Sequence, residues 1–251
     1  MSKIVYITGA SSGFGKACAE KFASHGYDLI ITGRREERLL ELKATLENKY
    51  NTAVLISVYD VRNRQQVFDA VKNIPEGWQQ IDVLINNAGL ALGRDYFDDA
   101  DIDDWDTMID TNVKGLIYTT RALLPLLKNS IVPHIINMGS VARDVYEKGN
   151  AYCASKAAVD ILSQSMRVDL LRHGIKVTAI HPGAAETEFS LVRFKGDEAT
   201  AKKIYDGLVP LTAEDVADVI YYCASLPPHV CINDLVLTCT QQANAIYFHR
   251  K

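Results

Sequence analysis

Seven short apolar runs recur along this 251-residue chain with longer stretches between them, and that alternation limits the folds open to it more than any other feature. The runs are residues 3–8 (KIVYIT), 28–32 (DLIIT), 54–58 (VLISV), 82–85 (DVLI), 134–138 (HIINM), 176–180 (KVTAI) and 235–238 (LVLT). They are rich in Val and Ile and apolar at consecutive positions, as strands of a parallel sheet are when helices cover both faces. Residues 15–25, 36–49, 63–73, 105–128, 151–173 and 212–225 read as the helices between and around them. The second of these carries Leu39, Leu40, Leu42 and Leu46 at helical spacing, with Glu36 and Glu37 at the end where the helix dipole favours acids. Pro125 is expected to interrupt 105–128 near its end, Gly174 to stop 151–173, and Thr212-Ala-Glu-Asp to cap the last helix. Repeated strand–helix–strand units imply parallel crossovers, so the expected fold is α/β, a doubly wound parallel sheet of about seven strands with helices on both faces. No linker or repeat divides residues 1–251, which are expected to form a single domain. Only 187–207, polar and holding two glycines, reads as an insertion, and it suggests a mobile lid.

Composition narrows the partners. A net charge of -4 without a Lys/Arg stripe gives no reason to expect nucleic acid. No apolar run approaches the roughly 20 residues that span a bilayer, and the N-terminal residues lack a signal-peptide pattern, so no membrane partner is expected. Cys18, Cys153, Cys223, Cys231 and Cys239 are scattered and odd in number, which suits reduced thiols in a cytoplasmic protein. The six histidines show no ligand spacing, and no metal is expected.

The first run ends in Thr8-Gly9-Ala10-Ser11-Ser12-Gly13-Phe14-Gly15, with a helix following at once. Glycines allow a sharp turn and close approach of a pyrophosphate, and the helix N-terminus offers free N–H groups. The alternative is a tight turn without a ligand, but in this strand–turn–helix setting a Rossmann-type dinucleotide site is the stronger reading. At the end of the second run, where an NAD site places an acid, stand Gly33-Arg34-Arg35. Guanidinium groups fork onto phosphate, so Arg34 and Arg35 suit the 2′-phosphate of NADP; as a plain surface pair they would balance Glu36 and Glu37.

Tyr152 and Lys156 are four residues apart in a helical stretch and so share a face. A nearby ammonium is expected to lower the phenol's pKa and ready it for proton transfer with a carbonyl or alcohol. Ser140 ends the fifth run and Asn86-Asn87-Ala88-Gly89 the fourth, while Asn112 lies early in the following helix. These positions fall on or next to the rim where open α/β sheets bind ligands.

TGASSGFG, NNAG, Asn112, Ser140 and Tyr152-x-x-x-Lys156, in this order and spacing, resemble the short-chain dehydrogenase/reductase family over the whole chain. The resemblance implies that Tyr152 is the general acid/base, that Lys156 tunes it and holds the nicotinamide ribose, and that Ser140 orients the substrate oxygen. It also implies that Asn112 helps maintain a proton relay. Gly9, Ser11, Ser12, Gly13, Phe14 and Gly15 would then cradle the pyrophosphate. Asp60 and Val61 would flank the adenine, Asn87, Ala88 and Gly89 would line the cofactor, and Pro182, Gly183 and Thr187 would hold its nicotinamide end. Gly33-Arg34-Arg35, residues 87–93 (NAGLALG) and residues 187–196 (TEFSLVRFKG) are similar to the NADP-dependent 3-hydroxy acid dehydrogenases. That branch implies serine, L-allo-threonine or 3-hydroxypropionate/malonic semialdehyde as substrate, and a homotetramer built on the two long helices. One departure is Arg143, where many members carry glycine; it could charge the rim of the substrate site. Arg193, assisted by Arg143 or Lys195, is the candidate anchor for a substrate carboxylate. Otherwise Arg193 and Lys195 are solvated charges balancing Glu186, Glu188 and Asp197. Three other functions compete. Met138-Gly139-Ser140-Val141-Ala142 lacks the GxSxG elbow of a hydrolase. A non-catalytic NADPH-sensing module would not need Asn112, Ser140, Tyr152 and Lys156 together. A broad carbonyl reductase would show no preference for carboxylates.

Overall fold

The computed structural model describes residues 2–251. Strands β1 (Ile4–Ile7), β2 (Asp28–Gly33), β3 (Val54–Val58), β4 (Val83–Asn86), β5 (His134–Met138), β6 (Lys176–Pro182) and β7 (Asp234–Leu237) form one sheet in the order β3-β2-β1-β4-β5-β6-β7. Every pairing is parallel. Winding reverses between β3 and β4, which opens a crevice beyond the carboxyl ends of β1 and β4. The helices are α1 (Gly13–Ala23), α2 (Glu36–Tyr50), α3 (Arg64–Lys72), α4 (Ile102–Ile109), α5 (Leu116–Leu127), α6 (Asn150–Leu170), α7 (Glu188–Arg193), α8 (Glu198–Lys203) and α9 (Ala213–Ser225). None is long and apolar enough to cross a membrane, among the described residues.

Successive residues of a strand face opposite sides, and the core divides accordingly. Val5 and Ile7 of β1 pack with Phe22, Leu39, Val216 and Ile220 from α1, α2 and α9. Ile4 and Tyr6 pack on the other face with Leu123, Leu127 and Leu170 from α5 and α6. The edge strands depart from the expectation of burial on both sides: Val58 of β3 and Val236 of β7 are exposed, because the edges are covered less fully. Between β4 and β5 the core is polar. Asn86 donates to Thr120 and Asn137, and Asn137 donates to Ser163, so a chain of buried amides and hydroxyls ties both strands to α5 and α6. The first asparagine of NNAG is therefore a framework residue, its hydrogen bonds all internal.

Capping largely follows the sequence. Thr212 and Asp215 form a capping box at α9, and Gly174 adopts the left-handed conformation after α6. The expected break at Pro125 does not occur. It lies near the end of α5, where its missing N–H removes one helical bond before the helix stops at Leu127. The irregularity falls earlier, in a π turn at Asp110–Gly115 that joins α4 to α5 and contains Asn112. The C-terminal tail, 241–251, folds back on its own chain. Ala243 N–H donates to Tyr247 O, His249 N–H donates to Gln241 O, and Phe248 faces the central cavity, while Tyr247 stays exposed.

Candidate active site

Gly9 and Gly13 hold left-handed φ values of 66° and 51°, which let β1 turn directly into α1. Gly15 packs so closely on the carbonyl of Gly9 that a Cβ would collide with it. The turn is locked to β4. Thr8 Oγ1 accepts from the N–H groups of Asn87 and Ala88 at 3.0 and 2.9 Å, and Asn87 Nδ2 donates to the carbonyls of Thr8 and Gly9. Ser12, at the N-cap of α1, makes no side-chain cap bond, so first-turn N–H groups remain available beside the cavity. A glycine cradle, an uncapped helix start and two adjacent arginines fit the phosphates of a dinucleotide.

The arginines differ. Arg34 is largely exposed at the cavity edge, 3.9 Å from Asp60. Arg35 donates to Ser11 and Ser12 and, at 3.0 Å, to Glu188 of α7. Arg38 also donates to Glu188, at 2.7 Å. Partial burial pushes the Glu188 carboxyl up, but the two guanidinium groups outweigh it and hold the group below the usual carboxylate range. The covering segment 187–207 is thereby tied to α2 on the phosphate side.

On the other side of the crevice, α6 carries Tyr152 and Lys156, both buried. Lys156 Nζ donates to Met138 O at 2.9 Å and lies 5.9 Å from the centre of the Tyr152 ring. Burial lowers the ammonium to about 8 and raises the phenol to about 12. The expected lowering of the phenol by Lys156 is thus not what the structure holds; dehydration of the ring site dominates. The cation acting on Tyr152 is Arg193, whose guanidinium carbon sits 4.7 Å from the ring centre and opposes the effect of burial, and Ser140 acts in the same direction. Arg193 donates to Tyr146 Oη at 2.9 Å, while its Nε is buried without a hydrogen-bond partner among the described residues. Ser140 caps a 3-10 turn, its Oγ accepting from Ala142 N–H at 3.0 Å. Asn112 accepts from Leu90 N–H and donates to Leu90 O and Ser155 Oγ, so its amide pins the loop after β4 to α6.

One cavity of about 1260 Å³ brings most of the expected residues together. Gly9, Ser11, Ser12, Gly13, Phe14, Arg34, Arg35, Asp60, Val61, Asn87, Ala88, Gly89, Ser140, Tyr152, Lys156, Pro182, Gly183, Thr187 and Arg193 all line it. Gly15 and Asn112 stand behind the wall, in the supporting positions just described. Arg143 is a correction: its guanidinium points away from the cavity to Asp234 (2.7 Å), Asp160 (3.3 Å) and His181 Nε2 (3.0 Å), so it does not charge the substrate rim. Lys195 is likewise engaged outside the cavity wall, with Asp104 at 2.8 Å. Sequence reasoning missed Arg94, Tyr146, Glu188, Phe189 and the tail residues Gln242, Ile246 and Phe248, all of which line the cavity. The run TEFSLVR pointed to Glu188 and Phe189, but no local pattern marks the others.

Comparison with known proteins agrees with this geometry. The family described as short chain dehydrogenase matches residues 3–197. Sulfoacetaldehyde reductase 2 of Chromohalobacter salexigens is 47% identical over 245 residues, 97% of this chain and 96% of that protein. NADP-dependent 3-hydroxy acid dehydrogenase YdfG of Escherichia coli K12 is 46% identical over 252 residues, 99% of this chain and 100% of that protein. The closed form of serine dehydrogenase complexed with NADP+ superposes with a TM-score of 0.91 at 44% identity, covering 99% of this chain and 100% of that one. With the family match spanning most of the chain and these relatives aligned along nearly all of it, the chain belongs to the short-chain dehydrogenase family.

Proposed function

We propose that this chain is an NADP-dependent oxidoreductase acting on the hydroxyl or carbonyl of a small 3-hydroxy acid of the serine, L-allo-threonine or 3-hydroxypropionate type. The observation that carries the reading is Arg193: a guanidinium over the Tyr152 ring, with a buried nitrogen that has no hydrogen-bond partner among the described residues. Such a group calls for an anion, and a carboxylate can take two parallel hydrogen bonds from it. The relatives support this, since one is named for 3-hydroxy acids and another for a sulfonated aldehyde, which is also an anion.

Arg34, Arg35 and Ser11 would hold the 2′-phosphate, the glycine turn and the start of α1 the pyrophosphate, and Asp60 and Val61 the adenine. Asn87, Ala88, Gly89, Pro182, Gly183 and Thr187 would receive the rest of the cofactor, with Lys156 on its ribose. When bound, the nicotinamide supplies or accepts the hydride. The chain's own residues handle the proton. Burial keeps Tyr152 protonated, which equips it to donate to a carbonyl oxygen during reduction; in the oxidative direction the phenolate, which Arg193 and Ser140 favour, would take the alcohol's proton. Ser140 orients the substrate oxygen and Arg193 fixes the far end of the molecule, so that the reacting carbon is held in place.

The test is Arg193→Ala against wild type on 3-hydroxypropionate and on a neutral alcohol of similar size. An anchor predicts a fall in kcat/KM of roughly tenfold to a hundredfold on the acid, from the loss of a charge-assisted bond, and little change on the alcohol. Equal losses on both would make Arg193 a structural residue of the covering segment. A wild type indifferent to the carboxylate would indicate a broad carbonyl reductase. We further propose a cytoplasmic homotetramer, supported by the five free cysteines and by Ile161 and Val168, exposed on one face of α6. Sedimentation giving the single-chain mass of 27.8 kDa would refute the assembly.

A further inference from the structure

The segment covering the cavity leaves the sheet after β6 and returns before α9, and its two roots are tied together. Leu211 N–H donates to Ala184 O at 3.0 Å, and Glu186 N–H donates to Leu211 O at 2.9 Å. The C-terminal tail grips both roots. On the outgoing root, the buried side chain of Gln242 accepts the N–H of Ala184 at 2.7 Å. It lies so close to Gly183 that a Cβ there would collide with its Oε1. On the returning root, the adjacent Gln241 accepts from Val209 N–H at 2.7 Å and donates to Gly207 O at 2.9 Å. Lys251 N–H donates to the same Gly207 carbonyl, and Arg250 donates to the carbonyls of Ile204 and Asp206 just beyond α8.

All of these bonds end on main-chain atoms of the roots, so the tail senses where the backbone lies. Because Gln241 and Gln242 are neighbours in the chain, one peptide unit joins the grip on the outgoing root to the grip on the returning root. A covering segment that opens must move its roots relative to each other or to the sheet. The tail opposes both movements while touching neither Tyr152 nor Arg193 through any hydrogen bond in the structure.

We propose that residues 241–251 clamp the roots of the covering segment and that Gln242 is a positioning residue for Gly183 and Ala184. The proposal rests on the reading above in one respect, that this stretch receives the nicotinamide end of the cofactor. Loss of the Gln242 bond frees the Ala184 N–H, loosens the outgoing root, and lets the segment open more often in the absence of any ligand.

The experiment combines amide hydrogen exchange of the cofactor-free protein with NADPH binding followed by fluorescence. Gln242→Met removes the acceptor at similar length, and Gln242→Glu retains an acceptor oxygen. With Met, exchange at 184–188 and 204–210 should rise roughly tenfold, the loss expected for one net hydrogen bond, while β4 and β5 stay protected. NADPH affinity should fall by a similar factor, with Glu nearer to wild type. Gly183→Ala should produce the same pattern, and its effect should shrink in a Gln242→Ala background, where the collision is relieved. A fall in thermal stability with unchanged exchange at both roots, or a uniform rise across the sheet, would overturn the clamp. Should Gln242→Met not fold, exposed Arg250→Ala puts the same question to 204–210. A wild type that fails to bind NADPH would sink the cofactor reading, and the exchange data would still decide the clamp.

Discussion

Lys156 should make the folded protein less stable at neutral pH than a neutral residue would. Its ammonium is buried in α6 with one hydrogen bond, to Met138 O, and burial brings it from 10.5 to about 8. The unfolded chain keeps the lysine proton up to about 10.5, while the folded chain releases it from about 8 upward. Between those values unfolding takes up a proton, so raising the pH favours the folded state. At about 1.4 kcal/mol per pKa unit, the gap corresponds to about 3 kcal/mol, fully felt below pH 8 and gone above pH 10.5. Lys156→Met fills similar space without the charge. Below pH 8 it should be the more stable protein by about 2 kcal/mol, once a net hydrogen bond of about 1 kcal/mol is deducted. Urea denaturation of both proteins from pH 6 to 11 measures the difference directly, since groups common to both cancel. The advantage should shrink steadily from pH 8 to 10.5. A difference that does not change with pH, or a variant less stable at pH 7, would refute the reasoning. Loss of turnover in that more stable variant would mark the charge as kept for chemistry at the expense of stability.

Tyr152→Phe should leave NADPH binding nearly intact and lower kcat by at least roughly a hundredfold, as removal of a general acid/base does; near-normal turnover in a steady-state assay would remove Tyr152 from that role. Arg34→Ala should weaken NADP binding by roughly tenfold to a hundredfold and barely change NAD binding, measured by titration with each dinucleotide, because Arg34 is the guanidinium least committed to protein partners. Arg143→Met should destabilise the fold by about 2 kcal/mol or more in urea, leaving Asp160 and Asp234 without their cation, and should change KM for a hydroxy acid less than twofold. A selective loss on the acid would return Arg143 to the substrate site.

Features carried by contiguous residues were legible in the sequence. The glycine turn, the two arginines after β2 and the Tyr152–Lys156 pair each lie within a few consecutive residues, so spacing alone places them on the same turn or helix face. Parallel strands buried on both faces also declare themselves, and β5 has the limits the sequence suggests. What escaped depends on distance along the chain. Arg143 is three residues from Ser140, which invited a role in the site, but its partners come from positions 160, 181 and 234. Sequence neighbours set where a side chain begins, and only the packed chain sets where it ends. The protonation of Tyr152 was misjudged for the same reason. A lysine one turn away suggested a lowered phenol, whereas burial of the ring by the covering segment and α6 outweighs it. The π turn left no mark, since an extra residue in a helix changes neither composition nor capping.

That π turn has a consequence for how the gene can change. A helix accepts most surface substitutions, but Asp110–Gly115 is a register device: it holds one residue more than a regular turn would over the same rise. Two residues inside it have contacts that depend on this local register. Asn112 must reach Leu90 and Ser155, and Gly115 must press its bare Cα against Val61. Deleting one residue there would restore a regular helical turn over the same rise, leaving α4 and α5 in place but carrying Asn112 or Gly115 away from its contact. Drift by substitution is open at the other positions of this stretch, but not at Asn112 or Gly115, and drift by length is closed. Its length should therefore be inherited with the fold, even in descendants whose side chains at other helix positions have all been replaced.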